Sequence, residues 1–185
     1  MALLTDIEQL ERARQFDRAT LGEIYDQHSP ALYRYAYRLL GNADHAEECV
    51  AEVFSRFLHA LRQGNGPRDY LRAYLYRMAH NWITDQWRRK PPPHVELDPC
   101  LPDHNQIDPL DTVEQHDQAT QVRQALAQLT ADQQQVVMLK YVEDWENDQV
   151  ALALGKPVGA VKALQHRALA SLRRLLSAER ENVHV

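Results

Sequence analysis

At 185 residues with 44% hydrophobic side chains, the chain suits one or two small folded domains, and wholesale disorder is excluded. Two cysteines, Cys49 and Cys100, cannot build a disulfide framework, and no apolar run reaches membrane-spanning length. The net charge of −5 hides a pattern: residues 1–90 carry +1, 91–117 carry −7 and 118–185 carry +1. The first residues, Met-Ala-Leu-Leu-Thr-Asp-Ile-Glu, lack a basic start and a long apolar run, so no signal peptide is expected. A cytoplasmic protein without direct membrane insertion follows as the expectation.

The first 90 residues read as helices separated by glycine breaks. Leu32, Tyr35, Ala36, Leu39 and Leu40 share one helical face, and Gly41-Asn42 stops it. Asp44 to Leu61 follows, with Ala46, Val50, Val53, Phe54, Phe57, Leu58 and Leu61 as the expected buried stripe. Arg62-Gln-Gly-Asn-Gly-Pro67 is a loop. Leu71 to Trp87 is a third amphipathic helix, ending in Arg88-Arg89-Lys90. Nothing here alternates with period two, so a helical bundle is predicted.

Residues 91–117 form an acidic strap. It holds seven carboxylates, no Lys or Arg, and six of the chain's nine prolines. Proline fixes φ and removes donors, so an extended linker and a domain boundary are expected. Helices resume near Ala119. Thr130-Ala-Asp-Gln133 fits a capping box, opening a helix that carries Val136, Val137, Leu139 and Tyr141. A short helix over about Asn147 to Leu154 ends at Gly155, and Pro157 suits the first turn of a long final helix.

Ala151, Gly155 and Val161 stand at helix-turn-helix spacing: a small residue where helices cross, a glycine for positive φ, an apolar residue packing back. The second helix bears Lys162, Gln165, His166 and Arg167 off its apolar stripe, after Lys156, with no acid before Glu179. Such a helix can face phosphates and base edges in a major groove. The competing, less favoured reading is a solvated basic face on a core helix.

Arg62 to Lys90 carries a net +5 and interleaves Tyr70, Tyr74, Tyr76, Trp82 and Trp87 with Arg68, Arg72, Arg77, Arg88 and Arg89. Unpaired bases stack on rings while their backbone follows basic groups. Tyr74 and Trp82, which neighbour apolar positions, are expected in the core instead.

Three stretches resemble the extracytoplasmic-function group of bacterial RNA polymerase sigma factors, a branch of the sigma-70 family. They are Tyr33–Gly41 with Asp44–Phe54, then Leu71–Arg89, then Leu129–Val137 with Pro157–Arg167. The resemblance implies an all-α fold of two small helical domains joined by the strap: 1–90 a region 2-like domain, 118–185 a region 4-like domain. It implies binding to core RNA polymerase through Glu48, Glu52 and Phe54. It implies reading and melting of the minus-ten element by Arg68, Tyr70, Arg77, Asn81, Arg88 and Arg89, with Asn81 at a flipped base. Lys156, Lys162, Gln165, His166 and Arg167 would contact the minus-thirty-five element. The implied partners are core polymerase, promoter DNA as duplex and non-template single strand, and an anti-sigma factor. The strap would thread the polymerase's cationic channel as a nucleic-acid mimic.

The chain departs from the family at Ala51, where Gln is common, and at Glu146, where a Ser usually starts the helix; Asn147 or Asp144 then becomes the expected cap. Ala163 and Leu164 replace polar positions of the recognition helix. No catalytic constellation, cofactor or small-molecule substrate is expected, and His94, Cys100 and His104 make a poor zinc site without a fourth ligand. The alternative reading is a stand-alone helix-turn-helix regulator with a helical sensor domain.

Overall fold

The structure is a computed structural model that describes residues 2–89, 121–122 and 124–182. The strap, with His94, Cys100 and His104, lies outside the described residues, as does Lys90. The fold includes the α-helices α1 Ala2–Arg14, α2 Arg18–Leu40, α3 Ala43–Arg62, α4 Leu71–Arg89, α5 Ala131–Val137, α6 Asn147–Leu154 and α7 Val158–Asn182. A π-helical turn, Met138–Val142, continues α5. The described residues contain no strand.

Local chemistry sets the helix ends. Asp17 caps α2 by accepting from the Thr20 N–H at 3.2 Å. Gly41 closes that helix in the left-handed region at φ 65°, its N–H donating to the Tyr37 carbonyl at 2.7 Å. Asn42 at once caps α3 through the His45 N–H at 2.9 Å. The first unit buries Leu32, Tyr35 and Ala36 of α2 against Cys49, Val53 and Phe57 of α3 and Leu75, Ala79 and Ile83 of α4. Leu10 and Ala13 of α1 complete this core. Trp82 is buried, and Tyr74 is half-buried, its ring edge-on to Phe57 at 6.3 Å.

One stripe residue differs from expectation. Leu58 is 38% exposed, because it lies past the edge of the face that α1, α2 and α4 cover, and Cys49 takes the inward place. Burial pushes the Cys49 thiol up to about 12, so it stays an inert thiol at neutral pH.

In the second unit, Thr130 and Gln133 form the expected capping box: the Gln133 N–H reaches Thr130 Oγ1 at 3.4 Å, and the Thr130 N–H reaches Gln133 Oε1 at 3.1 Å. Gly155 turns α6 into α7 with φ 63°. Val150, Ala151 and Val161 are buried at the crossing. Three details differ. Tyr141 is 52% exposed, because the π-turn shifts the helical phase after Val137. Glu146 itself is the N-cap of α6, its N–H donating to Gln149 Oε1 at 3.0 Å; Asp144 instead adopts φ 54° in the preceding turn. Pro157 precedes α7 and offers its carbonyl to the Val161 N–H at 3.1 Å.

Phe57→Ala is expected to cost about 3–5 kcal/mol of unfolding free energy by core deletion, whereas Leu58→Ala should stay within about 0.5 kcal/mol. Urea titrations of the two variants compare them directly.

Candidate nucleic-acid interface

The loop before α4 is pinned from outside. Arg14 Nη2 donates to the Pro67 carbonyl at 2.8 Å. At Gly66 a Cβ would meet Leu61 Cδ2 at 2.7 Å, so the loop lies tight on α3. Tyr70 holds φ 49° and offers its carbonyl to the Tyr74 N–H at 3.1 Å, starting α4. Arg68 and Tyr70 are exposed beside that helix start.

Along α4, Arg77, Asn81 and Arg88 are exposed at spacings of four and seven, so they share one face, with Arg89 also exposed. Arg88 also lies 3.7 Å from Asp85, an open pair of little energetic weight. Of the interleaved rings, Tyr70 is exposed and Trp87 half-buried, whereas Tyr76 is only 1% exposed. Tyr76 thus joins Tyr74 and Trp82 in the packing of the core, and Tyr70 and Trp87 are the rings that keep surface.

On α7, Lys162, His166 and Arg167 are exposed. Gln165 is held by its neighbour, its Nε2 donating to Tyr141 Oη at 2.7 Å. Arg167 turns back, Nε donating to the Ala163 carbonyl at 3.3 Å. Lys156 sits at the turn, 3.1 Å from Asp132.

On α3, Glu48 is exposed and Glu52 pairs with Arg56 at 2.6 Å, while Phe54 is 8% exposed with its ring 4.8 Å from Tyr25. Phe54 is thus mostly a core side chain, and exposed Tyr25 covers it.

The structure brings the basic face of α4 beside the turn that precedes α7. Arg77, Asn81 and Arg88 of α4 line one cleft of about 400 Å³ with Asp132 and Lys156 of the second unit. Beside it, the Trp145 ring packs 4.9 Å from Tyr76, and Arg72 lies 4.6 Å over the indole. The Tyr76 hydroxyl donates to Glu143 Oε2 at 2.8 Å, and Arg38 and Arg72 approach Glu143 at 3.5 and 3.7 Å. Burial, then the Glu143 carboxylate, raises the Tyr76 phenol above its ordinary range. Arg72, Tyr76, Glu143 and Trp145 were not legible as a group in the sequence. The nearest signal was a Trp flanked by acids where a helix should begin.

Among known proteins, residues 24–91 match the Sigma-70 region 2 family and residues 119–172 match Sigma-70, region 4. The ECF RNA polymerase sigma factor SigL of Mycobacterium tuberculosis is 32% identical over 158 residues, 85% of this chain and 89% of that protein. BldN of Streptomyces coelicolor, also an ECF RNA polymerase sigma factor, is 29% identical over 175 residues; the match takes 92% of this chain but 65% of BldN. CnrH, solved in complex with the cytosolic domain of CnrY, shares the fold with a TM-score of 0.68 at 22% identity, over 94% of this chain and 97% of that one. RpoE of Bartonella quintana, solved with the anti-sigma factor NepR, gives 0.60 at 22% identity, over 84% and 96%.

His80, on α4 behind this face, is 6% exposed, and its Nδ1 has no partner. Burial drives its pKa down to about 4, against a weaker opposing pull from Asp132. The unfolded chain takes up this proton below about 6.5 while the folded chain resists it until near 4. Stability contributed by the neutral ring is therefore lost as pH falls through that window, by about 1.4 kcal/mol per pH unit. Thermal melts of wild type and His80→Leu across pH 7 to 4 should show a shallower acid slope in the variant.

Proposed function

The chain belongs to the extracytoplasmic-function sigma factors of the sigma-70 family, and from that premise we propose how its surfaces divide the work of promoter recognition. The first unit binds core polymerase through the acidic face of α3, with Glu48 and Glu52 as its charged groups. The α4 face and the loop before it read and open the minus-ten element. Arg68, Arg77, Arg88 and Arg89 follow the backbone, Tyr70 offers a ring for stacking, and Asn81 takes a flipped base. The second unit sets α7 in the major groove of the minus-thirty-five element. There Lys162, Gln165, His166 and Arg167 meet base edges and phosphates, and Lys156 meets a phosphate at the turn.

The observation that carries this reading is the pairing, in one chain, of an arginine-lined helix face with a helix-turn-helix whose second helix carries Lys162, His166 and Arg167 exposed. Strand opening on this account uses binding energy alone, with no catalytic group. The domain limits 1–90, 91–117 and 118–185 are part of the proposal, and so is the strap's passage through the polymerase channel. A cytoplasmic location follows from the polymerase partner. RpoE of Bartonella quintana is solved with the anti-sigma factor NepR, and on this account an anti-sigma factor binds this chain as well.

Run-off transcription with core polymerase on a genomic promoter library should give discrete, factor-dependent transcripts. Absence of both transcripts and core binding would leave the stand-alone regulator as the better account. Asn81→Ala should weaken open-complex formation while sparing core binding. Arg167→Ala should lower affinity for the upstream duplex by about 1–3 kcal/mol, the usual worth of a base-edge contact. Permanganate footprinting and filter binding read the two effects separately.

A further inference from the structure

We propose that Arg14, at the C-terminal end of α1, is a positioning residue for minus-ten readout: it fixes the loop that carries Arg68 and Tyr70 in the shape that receives an unstacked base. The inference rests on the reading of that loop as part of the minus-ten surface. Three observations carry it.

First, the loop is tied to α3 over only half its length. The Gln63, Gly64 and Asn65 N–H groups donate to the carbonyls of His59, Leu61 and Ala60 at 3.1, 3.0 and 2.9 Å. From Gly66 to Tyr70, no backbone bond among the described residues continues this series onto α3. Gly64, between the halves, holds φ 72° with nothing within 4 Å of the place a Cβ would take, so no packing stiffens that joint.

Second, Arg14 holds the far half. Its Nη2 donates to the Pro67 carbonyl at 2.8 Å. Proline has no N–H, so this carbonyl is its one backbone hydrogen-bonding group. Pro67 is buried, whereas Arg68, Asp69 and Tyr70 after it are exposed. The bond sits at the last anchored point before the exposed loop residues.

Third, the same end of α1 also holds the start of the loop. Phe16 stands at φ 56°, a left-handed conformation uncommon for a bulky residue. Its ring centre lies 5.7 Å from the Arg62 guanidinium carbon, and Arg62 is the last residue of α3, where the loop begins. Leu10 and Ala13 are fully buried, so α1 braces the loop from a seat in the core. Arg14 and Phe16 both precede residue 24, where the region 2 match begins.

Extruding a base costs stacking energy, and a loop that had to become ordered at the same moment would add to that cost. A readout site also needs its groups held to within about 0.5 Å. With Arg14 on Pro67, the loop is ordered when the chain folds, before DNA arrives.

The test uses the full chain bound to core polymerase and a library of forked DNAs whose single-stranded minus-ten segment is randomised. Sequencing the bound fraction gives the ratio of favoured to disfavoured base at each position. In Arg14→Ala this ratio should fall by about two- to tenfold at the position that meets the loop, the worth of one hydrogen bond. Helix content and affinity for core polymerase should match wild type, because Arg14 is exposed and the acids of α3 are untouched. Arg14→Lys keeps a donor for the Pro67 carbonyl and should return most of the preference. Arg12→Ala removes a cation from the same last turn of α1 and should leave the profile unchanged.

An Arg14→Ala profile that matches wild type, a loss spread evenly over every randomised position, a loss that Arg14→Lys does not reverse, or the same loss in Arg12→Ala would each overturn the proposal. If wild type itself enriches no base at any single-stranded position, the promoter reading falls and the proposal with it. Enrichment by wild type with an unchanged Arg14→Ala profile removes the proposal alone.

Discussion

The burial of Trp145 against Tyr76 joins two units that each have their own helical framework. Around that contact the core is continuous: Leu75, Ala79 and Ile83 of α4 belong to the same buried cluster as Val136, Leu139 and Val150 of the second unit. The other contacts across the seam follow from it. Glu143 can be buried because Trp145 brings it to Tyr76, Arg38 and Arg72, and the same packing lays Gly155 against Arg77.

α4 therefore has two jobs on two faces. One face packs inward with Leu75, Ala79, Trp82 and Ile83, all at most 5% exposed. The other carries Arg77, Asn81 and Arg88, which are exposed and line a cleft together with Asp132 and Lys156 of the second unit. Ordinary surface cations gain little from neighbours. These lie beside a low-dielectric seam, where a single buried carboxylate counts for more.

Much of this was legible in the sequence wherever a local rule decided it. Gly41, Thr130 with Gln133, and Gly155 mark helix ends through backbone geometry that only short-range chemistry determines. The helix-turn-helix was legible for the same reason, and so was burial of Trp82. The misreadings arise where a distant element decides. Leu58 fits the helical period, yet no helix covers it. Tyr76 looked like a ring for bases until a partner from another unit buried it. Phe54 was expected to meet a partner but is a core side chain covered by Tyr25. Glu146 caps α6 because Gln149 reaches back to it, a pairing that the usual Ser signal does not anticipate.

The π-turn at Met138–Val142 has its own consequence. Its wide ring lets the Glu143 N–H reach the Met138 carbonyl at 3.0 Å, after which Trp145 donates to Leu139 at 3.0 Å and accepts from Lys140 Nζ at 3.0 Å. Trp145 is thereby clamped at both ends of its peptide. One residue of helix corresponds to about 100° of rotation. The extra residue in this turn acts as a phase shifter between α5 and α6. It aims an indole and a carboxylate at α4 while Tyr141 is left outside to hold Gln165. The placement of Trp145 and Glu143 against α4 is thus set by the register of one widened turn.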